Sequence, residues 1–273
     1  MFLGIDIGSS SSKAALMDND GRLLGTKVVN IGTGTNGIEI ALSELLKEQG
    51  CSEEDILYTV ATGYGRMTYK KADAQITEIS CHARGVVSLY PQARSIIDIG
   101  GQDAKAIRLN DKGRVDNFVM NEKCAAGTGR FFEVMARVLN CSLDELAALA
   151  AKAQNAVPIS SVCTVFAESE VISQLAGGAK AEDVAKGAHQ SVAKRVAGLC
   201  SRLGMAPQVV MTGGVALNAS MVQAMAEEIK LDILVPDNPQ VMGAIGAADY
   251  AREKYLSNAE HLTSQHKIIH TKE

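Results

Sequence analysis

The chain is predicted to adopt an α/β fold built from two duplicated domains, and three observations support this prediction. Hydrophobic residues make up 47% of its 273 residues and charged residues 21%, which supplies enough apolar material for sizeable cores. Short apolar runs that suit β-strands alternate with longer segments of helical periodicity. Finally, an eighteen-residue segment occurs twice in the chain, at a constant offset of 92 positions.

The repeated segment occupies residues 5–22 and 97–114. Eight of its eighteen positions are identical without a gap: Ile5/Ile97, Asp6/Asp98, Ile7/Ile99, Gly8/Gly100, Lys13/Lys105, Ala14/Ala106, Gly21/Gly113 and Arg22/Arg114. Each copy predicts a strand ending in Asp-Ile-Gly, a tight turn of small residues, a second strand and a polar turn that contains glycine. The period is far too long for a solenoid, so we interpret the repeat as a duplicated half-molecule.

The segments between and after the two copies add the remaining elements. Helical stripes predict helices over 38–49 and 76–90, separated by a short strand over 56–61. After the second copy, the pattern predicts a strand over 118–121 and a helix that begins near Thr128. Ser142 and Glu145 have the spacing of a capping box, which predicts the start of the next helix. We also predict helices over 166–176, 182–203 and 218–229, and strands over 209–211 and 233–235.

The last helix is predicted to begin at Met242-Gly-Ala-Ile-Gly-Ala-Ala248, whose small residues permit close packing. The expected first domain therefore comprises 1–93 with a C-terminal helix at about 243–256. The second domain comprises 94–242. Residues 257–273 form a polar tail that we expect to fray.

Composition excludes several classes of function. A net charge of −4 argues against a nucleic-acid-binding surface, and no apolar run reaches the roughly 18–20 residues of a membrane helix. No basic segment precedes the first apolar stretch, so we expect no secretory signal, and we expect a cytoplasmic protein. The six cysteines lie at 51, 81, 124, 141, 163 and 200, and their spacing matches no zinc-ribbon, ferredoxin or thioredoxin motif.

The two turns of the repeat are candidate phosphate-binding sites. Gly8 and Gly100 allow the backbone to approach a bound group, and consecutive N–H groups in such turns can cradle phosphate oxygens. Asp6 and Asp98, at the strand ends, can hold a hydrated Mg²⁺ ion. Two such hairpins facing each other would bind a triphosphate from both sides. In the first copy the candidate phosphate ligands are Ser9, Ser10, Ser11, Ser12 and Lys13.

This set of motifs resembles the actin, heat-shock-chaperone and sugar-kinase ATPase superfamily. Its two phosphate hairpins match residues 4–18 and 96–109, its adenosine motif matches 209–216, and its last connecting helix matches 242–254. The resemblance implies an actin-like ATPase fold, with two ribonuclease-H-like domains around a cleft that binds ATP or ADP. It also implies nucleotide contacts and catalytic roles for particular residues. The implied nucleotide-binding residues are Gly100, Gly101, Gln102, Asp103, Gly213 and Gly214, and the implied catalytic residues are Asp6, Asp98 and Gln102.

Longer strings resemble one branch of that superfamily, the 2-hydroxyacyl-CoA dehydratase activators, also called component A. They are Asn121-Glu-Lys-Cys-Ala-Ala-Gly-Thr-Gly-Arg-Phe131, Ser160-Ser-Val-Cys-Thr-Val-Phe-Ala-Glu-Ser-Glu170, Thr62-Gly-Tyr-Gly-Arg66 and Glu78-Ile-Ser-Cys-His-Ala83. Two small departures, Glu122 where the family usually has Asp and four serines in the first turn, remove no ligand. They do not identify the substrate of the partner enzyme.

The resemblance implies a homodimer that holds one 4Fe-4S cluster between its subunits, with Cys124 and Cys163 as the ligands from each chain. It further implies a one-electron reductase that takes its electron from a ferredoxin or flavodoxin and passes it to a dehydratase, component D. The position of Cys124 just before a predicted helix suits this role, because the positive end of a helix dipole favours a thiolate.

Other interpretations remain open from the residues alone. Cys124 and Cys163 could be buried core residues, as we expect for Cys51, Cys81, Cys141 and Cys200. Within the same wider family the chain could be the ATPase subunit of a benzoyl-CoA-reductase-like enzyme. A small-molecule kinase would use the same fold, although 273 residues leave little room for an acceptor-binding insertion. A nucleotide-dependent scaffold in the manner of actin would need large insertions that this chain lacks.

Overall fold

A computed structural model describes residues 1–160 and 163–270, with only the backbone path described for 260–270. The chain divides into two compact units. The first unit contains Met1–Leu89 and the segment that starts at Val241, and the second unit is Tyr90–Gln240. Residues 161 and 162, within the second cysteine motif, lie outside the described residues.

The first unit is built on a five-stranded mixed sheet with the strand order β3-β2-β1-β4-β5. Its strands are β1 (Phe2–Ile7), β2 (Ser12–Met17), β3 (Leu23–Val29), β4 (Tyr58–Thr62) and β5 (Ala74–Gln75). The first three strands are antiparallel, whereas β4 runs parallel to β1 and β5 parallel to β4. Its helices are α1 (Gly37–Gln49), α2 (Glu78–Leu89) and α8 (Met242–His270).

The second unit repeats this topology. Its sheet has the order β10-β9-β6-β7-β8, which places each strand in the same position as its counterpart in the first unit. Its strands are β6 (Ser95–Ile99), β7 (Ala104–Leu109), β8 (Val115–Asn121), β9 (Val209–Thr212) and β10 (Ile233–Leu234). Its helices are α3 (Gly129–Val138), α4 (Leu143–Lys152), α5 (Thr164–Ala176), α6 (Ala181–Leu203) and α7 (Ala219–Ile229).

The central strand of the first unit is covered on both faces. All six residues of β1 are buried, as expected for a strand with helices on either side. Leu3, Ile5 and Ile7 join a core with the apolar stripe of α1. Gly4 lies between them in sequence and faces α8, where a Cβ would overlap the backbone at Ala244 and Ala248. Successive side chains of a strand point to opposite faces of the sheet, so α1 packs on one face of β1 and α8 on the other.

Small residues bring α8 close to α2, as the sequence predicts for this segment. A Cβ at Gly85 would overlap the carbonyl oxygen of Met242, and one at Gly246 would overlap that of Cys81. Helix α8 also continues to His270, through the segment that we expected to fray. No glycine or proline interrupts residues 257–270, so nothing in the local sequence ends the helix at Ser257.

The strands β3 and β5 are absent from our sequence-based elements. The β3 strand is only partly buried, so it lacks the strong apolar alternation of β1 and β2. The β5 strand has two residues, which is too short for any periodicity. Both exist because their neighbours in the sheet offer unpaired backbone groups.

Candidate functional site

The first repeated turn is a tight hairpin between β1 and β2. The N–H of Gly8 donates to the carbonyl oxygen of Ser11 over 3.0 Å, and Ser9, Ser10 and Ser11 retain solvent exposure at its tip. Ser12 differs from them, since its side chain is buried and its Oγ donates to the carbonyl oxygen of Ile31 over 2.8 Å. The Ser12 hydroxyl is therefore committed to the fold.

Asp6 is a buried carboxylate beside this turn. It lies opposite Lys13 in the β1–β2 register, and the Lys13 Nζ is 3.4 Å from its Oδ2. On the other side, a Cβ at Gly63 would overlap Asp6 Oδ1, and Gly63 has a φ of +87° that favours glycine. Both features keep the Asp6 carboxylate at the carboxyl end of the sheet.

The second repeated turn joins β6 to β7 in the same way. The N–H of Gly100 donates to the carbonyl oxygen of Asp103 over 2.9 Å. Lys105 is almost fully buried, and its ammonium lies 3.1 Å from Asp98 Oδ2 and 2.8 Å from Asp103 Oδ2. Gln102 is exposed at the tip of the turn. Lys105 thus holds two carboxylates in place.

A threonine is the register partner of each strand-end aspartate, and we did not predict either one from the sequence. Thr212 Oγ1 donates to Asp98 Oδ1 over 2.8 Å, and Thr212 is the register partner of Asp98. Thr62 is the register partner of Asp6, although its Oγ1 donates to the carbonyl oxygen of Ile76. Both residues begin a Thr-Gly dipeptide, a shared signal that could have revealed them.

Gly213 and Gly214 lie next to the second turn. Gly213 has a φ of +85°, and a Cβ there would overlap the carbonyl oxygen of Ile99 and stand 3.0 Å from Asp98 Oδ1. Gly214 begins a short 3₁₀ turn. The second unit therefore gathers Asp98, the turn 100–103 and this glycine pair at one edge of its sheet.

A buried histidine anchors the segment that follows Gly214. Asn218 Oδ1 accepts from the N–H of Met221, which directs its Nδ2 toward His189 Nε2 at 2.9 Å. His189 Nε2 must then accept, so its Nδ1 donates to the carbonyl oxygen of Ala185. Burial lowers the pKa of His189, in agreement with a neutral ring. We did not predict this pair from the sequence.

Cys124 lies in a short loop between β8 and α3. The Asn121 side chain closes this loop, because its Nδ2 donates to the carbonyl oxygen of Cys124 over 2.8 Å and its Oδ1 accepts from the N–H of the same residue. At the far end of the loop, the N–H groups of Gly129 and Arg130 donate to the carbonyl oxygens of Gly100 and Gly101. The loop is thus tied directly to the second turn.

Cys163 is the N-cap of α5, and its side chain is exposed. Core packing is therefore excluded for Cys163, and Cys124 is only partly buried. Beside Cys163, the Oγ1 of Thr164 is shielded from solvent and has no hydrogen-bond partner among the described residues. Val165 and Phe166 follow with exposed fractions of 66% and 68%.

The other cysteines have different surroundings. Cys81 and Cys200 are buried, and burial raises the pKa of each thiol to about 12, which keeps both protonated. Cys51 and Cys141 are partly buried rather than fully buried, because they lie just outside the main helices and strands. Among the described side chains, those of residues 1–160 and 163–259, no three His, Cys, Asp or Glu residues group as metal ligands. None of the helices described has the length and apolar character needed to cross a membrane.

Comparison with known proteins extends these observations. A lactoyl-CoA dehydratase activator from Anaerotignum propionicum is 57% identical over 251 residues, 92% of this chain and 97% of that protein. An (R)-2-hydroxyglutaryl-CoA dehydratase activating ATPase from Acidaminococcus fermentans is 47% identical over 253 residues, 92% of this chain and 97% of that protein. The structure of a 2-hydroxyisocaproyl-CoA dehydratase activator from Clostridium difficile, with bound ADPNP, superposes with a TM-score of 0.92 at 51% identity, covering 96% and 98% of the two chains.

More distant structures share the fold alone. A ROK-family glucokinase from Streptomyces griseus covers 92% of this chain and 99% of its own, with a TM-score of 0.57 at 14% identity. The predicted actin-like α/β class is thereby confirmed. The family model described as the BadF/BadG/BcrA/BcrD ATPase family matches residues 3–251. The chain belongs to this ATPase family.

Proposed function

We propose that this protein is an ATP-hydrolysing activator of a 2-hydroxyacyl-CoA dehydratase, which couples ATP binding and hydrolysis to one-electron transfer to that enzyme. One observation carries the proposal: the loop of Cys124 is hydrogen-bonded to the turn 100–103, which we propose to bind phosphate. The similarity to dehydratase activators over almost the whole chain supports this function above a kinase, for which only the fold is shared.

The two turns are proposed to bind the phosphates of ATP. In the first turn, the backbone N–H groups of residues 9–12 and the ammonium of Lys13 face the phosphates, which matches the exposure of the three serines at the tip. In the second turn, Gly100 and Gly101 allow close approach, and Asp103 and Gln102 orient the attacking water. Gly213 and Gly214 would let the adenosine lie against the backbone after β9.

Asp6 and Asp98 are proposed to hold Mg²⁺ through water. Each carboxylate is buried at a strand end and already has a lysine partner, at 3.4 Å for Asp6 and 3.1 Å for Asp98. A carboxylate paired in this way can still accept hydrogen bonds from metal-bound water, and Mg²⁺ usually retains several waters. Thr212 fixes the orientation of Asp98.

Cys124 and Cys163 are proposed to be the ligands that each chain contributes to a 4Fe-4S cluster, which would supply one-electron transfer. The residues fit this group. Both thiols are free, and Cys163 is exposed at a helix N-terminus, where a thiolate is favoured. The buried Thr164 Oγ1 beside Cys163, without a partner among the described residues, is a polar atom left for a neighbouring group.

A homodimer would supply the two missing ligands, because one chain offers only two suitable thiols. Val165 and Phe166 support this assembly, since two large apolar side chains are exposed directly after Cys163. The proposed electron donor is a ferredoxin or flavodoxin, and the proposed acceptor is the dehydratase, component D. Six free thiols suit a reducing compartment such as the cytoplasm.

The experiment that tests this function is a coupled assay under strictly anaerobic conditions. The purified protein is mixed with a candidate dehydratase, a chemical reductant, Mg²⁺ and ATP, and dehydration of several 2-hydroxyacyl-CoA compounds is followed. We expect dehydration that requires ATP and stops when either Cys124 or Cys163 is replaced by Ser. A colourless protein that phosphorylates a sugar or an acid would contradict the proposal.

A further inference from the structure

The loop Thr62-Gly-Tyr-Gly-Arg66 is held against the first phosphate-binding turn. Gly63 lies in contact with the Asp6 carboxylate, where a Cβ would overlap Oδ1. Two residues later, the N–H of Gly65 donates to the carbonyl oxygen of Ile7 over 2.8 Å. The loop therefore follows the end of β1 into the turn and ends at Arg66, on the Asp6 side of the hairpin.

The turn and this loop are supported by a third segment. The N–H of Thr33 donates to the carbonyl oxygen of Gly8 over 2.9 Å, and Gly65 packs so closely on Thr33 that a Cβ would overlap its side chain. The backbone at this edge is thus held in one arrangement. Residues attached to it are positioned before any ligand arrives.

Arg66 is the cation at the end of this loop. It is half-buried, and its Nη1 donates to the carbonyl oxygen of Gly63 over 3.0 Å, which uses one of its five N–H donors. Among the described residues no carboxylate forms an ion pair with Arg66, whereas Lys13 is paired with Asp6. Its bond to Gly63 holds the guanidinium next to the glycine that packs against Asp6 Oδ1.

The duplication argues that Arg66 does more than support a strand end. Both units place a Thr-Gly dipeptide beside the strand-end aspartate, as Thr62-Gly63 and Thr212-Gly213. Three positions after the glycine, the first unit has Arg66 and the second has Ala216. The second unit builds the same junction without a guanidinium, so the junction itself does not require one.

We infer that Arg66 binds the terminal phosphate of ATP at the Asp6 side of the first turn. This inference rests on the proposed function, in which that turn holds ATP. A guanidinium is always charged, and its planar array of donors matches two phosphate oxygens. Because ADP lacks the terminal phosphate, Arg66 makes the protein discriminate between the two nucleotides.

The test is a calorimetric measurement of ADPNP and ADP binding, with Mg²⁺, to the full chain purified anaerobically. We expect Arg66→Gln to weaken ADPNP binding roughly ten- to a hundredfold, as for the loss of charge-assisted hydrogen bonds, and to change ADP binding less than about twofold. Arg66→Lys retains the charge and should recover part of the loss. Lys70→Gln removes a cation from the same exposed loop and should change neither affinity.

Two results would overturn the inference: equal losses for both nucleotides, which indicate that Arg66 only supports its loop, or no loss for either. If Arg66→Gln does not fold, as judged by its melting temperature, the affinities of Arg66→Lys for ADPNP and ADP are compared with those of the unsubstituted protein. Equal losses for both nucleotides, or no loss for either, would again overturn the inference. Failure of the unsubstituted protein to bind ADPNP and ADP would instead contradict the proposed function, and the inference with it.

Discussion

The backbone N–H of Gly129 donates a hydrogen bond to the carbonyl oxygen of Gly100 over 2.8 Å. The two residues belong to different parts of the second unit, since Gly100 is in the β6–β7 turn and Gly129 begins α3. A second bond, from Arg130 to the carbonyl oxygen of Gly101, has the same length. A shift of the turn on nucleotide binding would therefore be transmitted to α3 and to the Cys124 loop before it.

Replacing Gly129 by Val should disrupt this connection. A Cβ at Gly129 already stands 3.1 Å from the carbonyl oxygen of Gly100 and 3.2 Å from the Cα of Gly101, so a branched side chain must displace the turn. We expect ATP hydrolysis to fall at least about tenfold, since misplaced catalytic groups have large effects on rate. The matched control is Gly198→Val on α6, where a Cβ meets nothing within 4 Å. Normal ATPase activity in Gly129→Val would contradict the importance of this contact.

Replacing either Cys124 or Cys163 by Ser should remove the iron. We expect the unsubstituted protein to be brown, with about one four-iron cluster per dimer, and each variant to be colourless while retaining its far-UV circular dichroism spectrum. The measurements are iron and acid-labile sulfide content after anaerobic purification. Cys51→Ser serves as the control, because Cys51 is partly buried against the core of the first unit. Full iron content in Cys163→Ser would refute the ligand assignment.

Replacing Phe166 by Glu should dissociate the proposed dimer. The Phe166 side chain is 68% exposed next to Cys163, and a carboxylate in a desolvated interface is strongly unfavourable. We expect light scattering after gel filtration to report a dimer for the unsubstituted protein and a monomer for this variant. Leu143→Glu, at an exposed apolar residue on α4, should leave the dimer intact. If the variant remains a dimer, Phe166 does not lie in the subunit contact.

The buried His189 should make stability depend on pH. Burial lowers its pKa in the folded state, so the unfolded chain binds the proton first as the pH falls below about 6.5. The free energy of unfolding should therefore decrease as the pH falls from about 7 to 5, by at most about 1.4 kcal/mol per pH unit from this group. Urea unfolding at several pH values measures this slope. We expect His189→Gln to flatten it, and an unchanged slope would show that His189 does not contribute.

Several features of the site were predictable because they depend on neighbouring residues in the chain. The Ser142–Glu145 capping box is confirmed, since the N–H of Glu145 donates to Ser142 Oγ and the N–H of Ser142 donates to the Glu145 carboxylate. The repeat predicted the two hairpins, and the tight turn of each places Asp6 opposite Lys13 and Asp98 opposite Lys105. In both cases the two interacting residues are close to each other in the chain.

The differences between the two copies of the repeat could not be predicted from neighbouring residues in the chain. Lys13 and Lys105 occupy equivalent positions of the repeat, but their surroundings differ, because Lys105 is buried between Asp98 and Asp103. The position corresponding to Asp103 in the first copy is Ser11, so Lys13 has one carboxylate partner rather than two. A single substitution in the turn thus changes the environment of an otherwise identical lysine.

The amino-acid sequence alone determined the duplicated hairpins and the order of the main helices and strands, because these follow from local periodicity and turn chemistry. Only the tertiary structure decided that Thr212 meets Asp98, that Gly129 meets Gly100 and that Cys163 is exposed. These contacts join residues that are distant in the chain. They arise when strands and helices pack, so the pattern within either segment does not contain them.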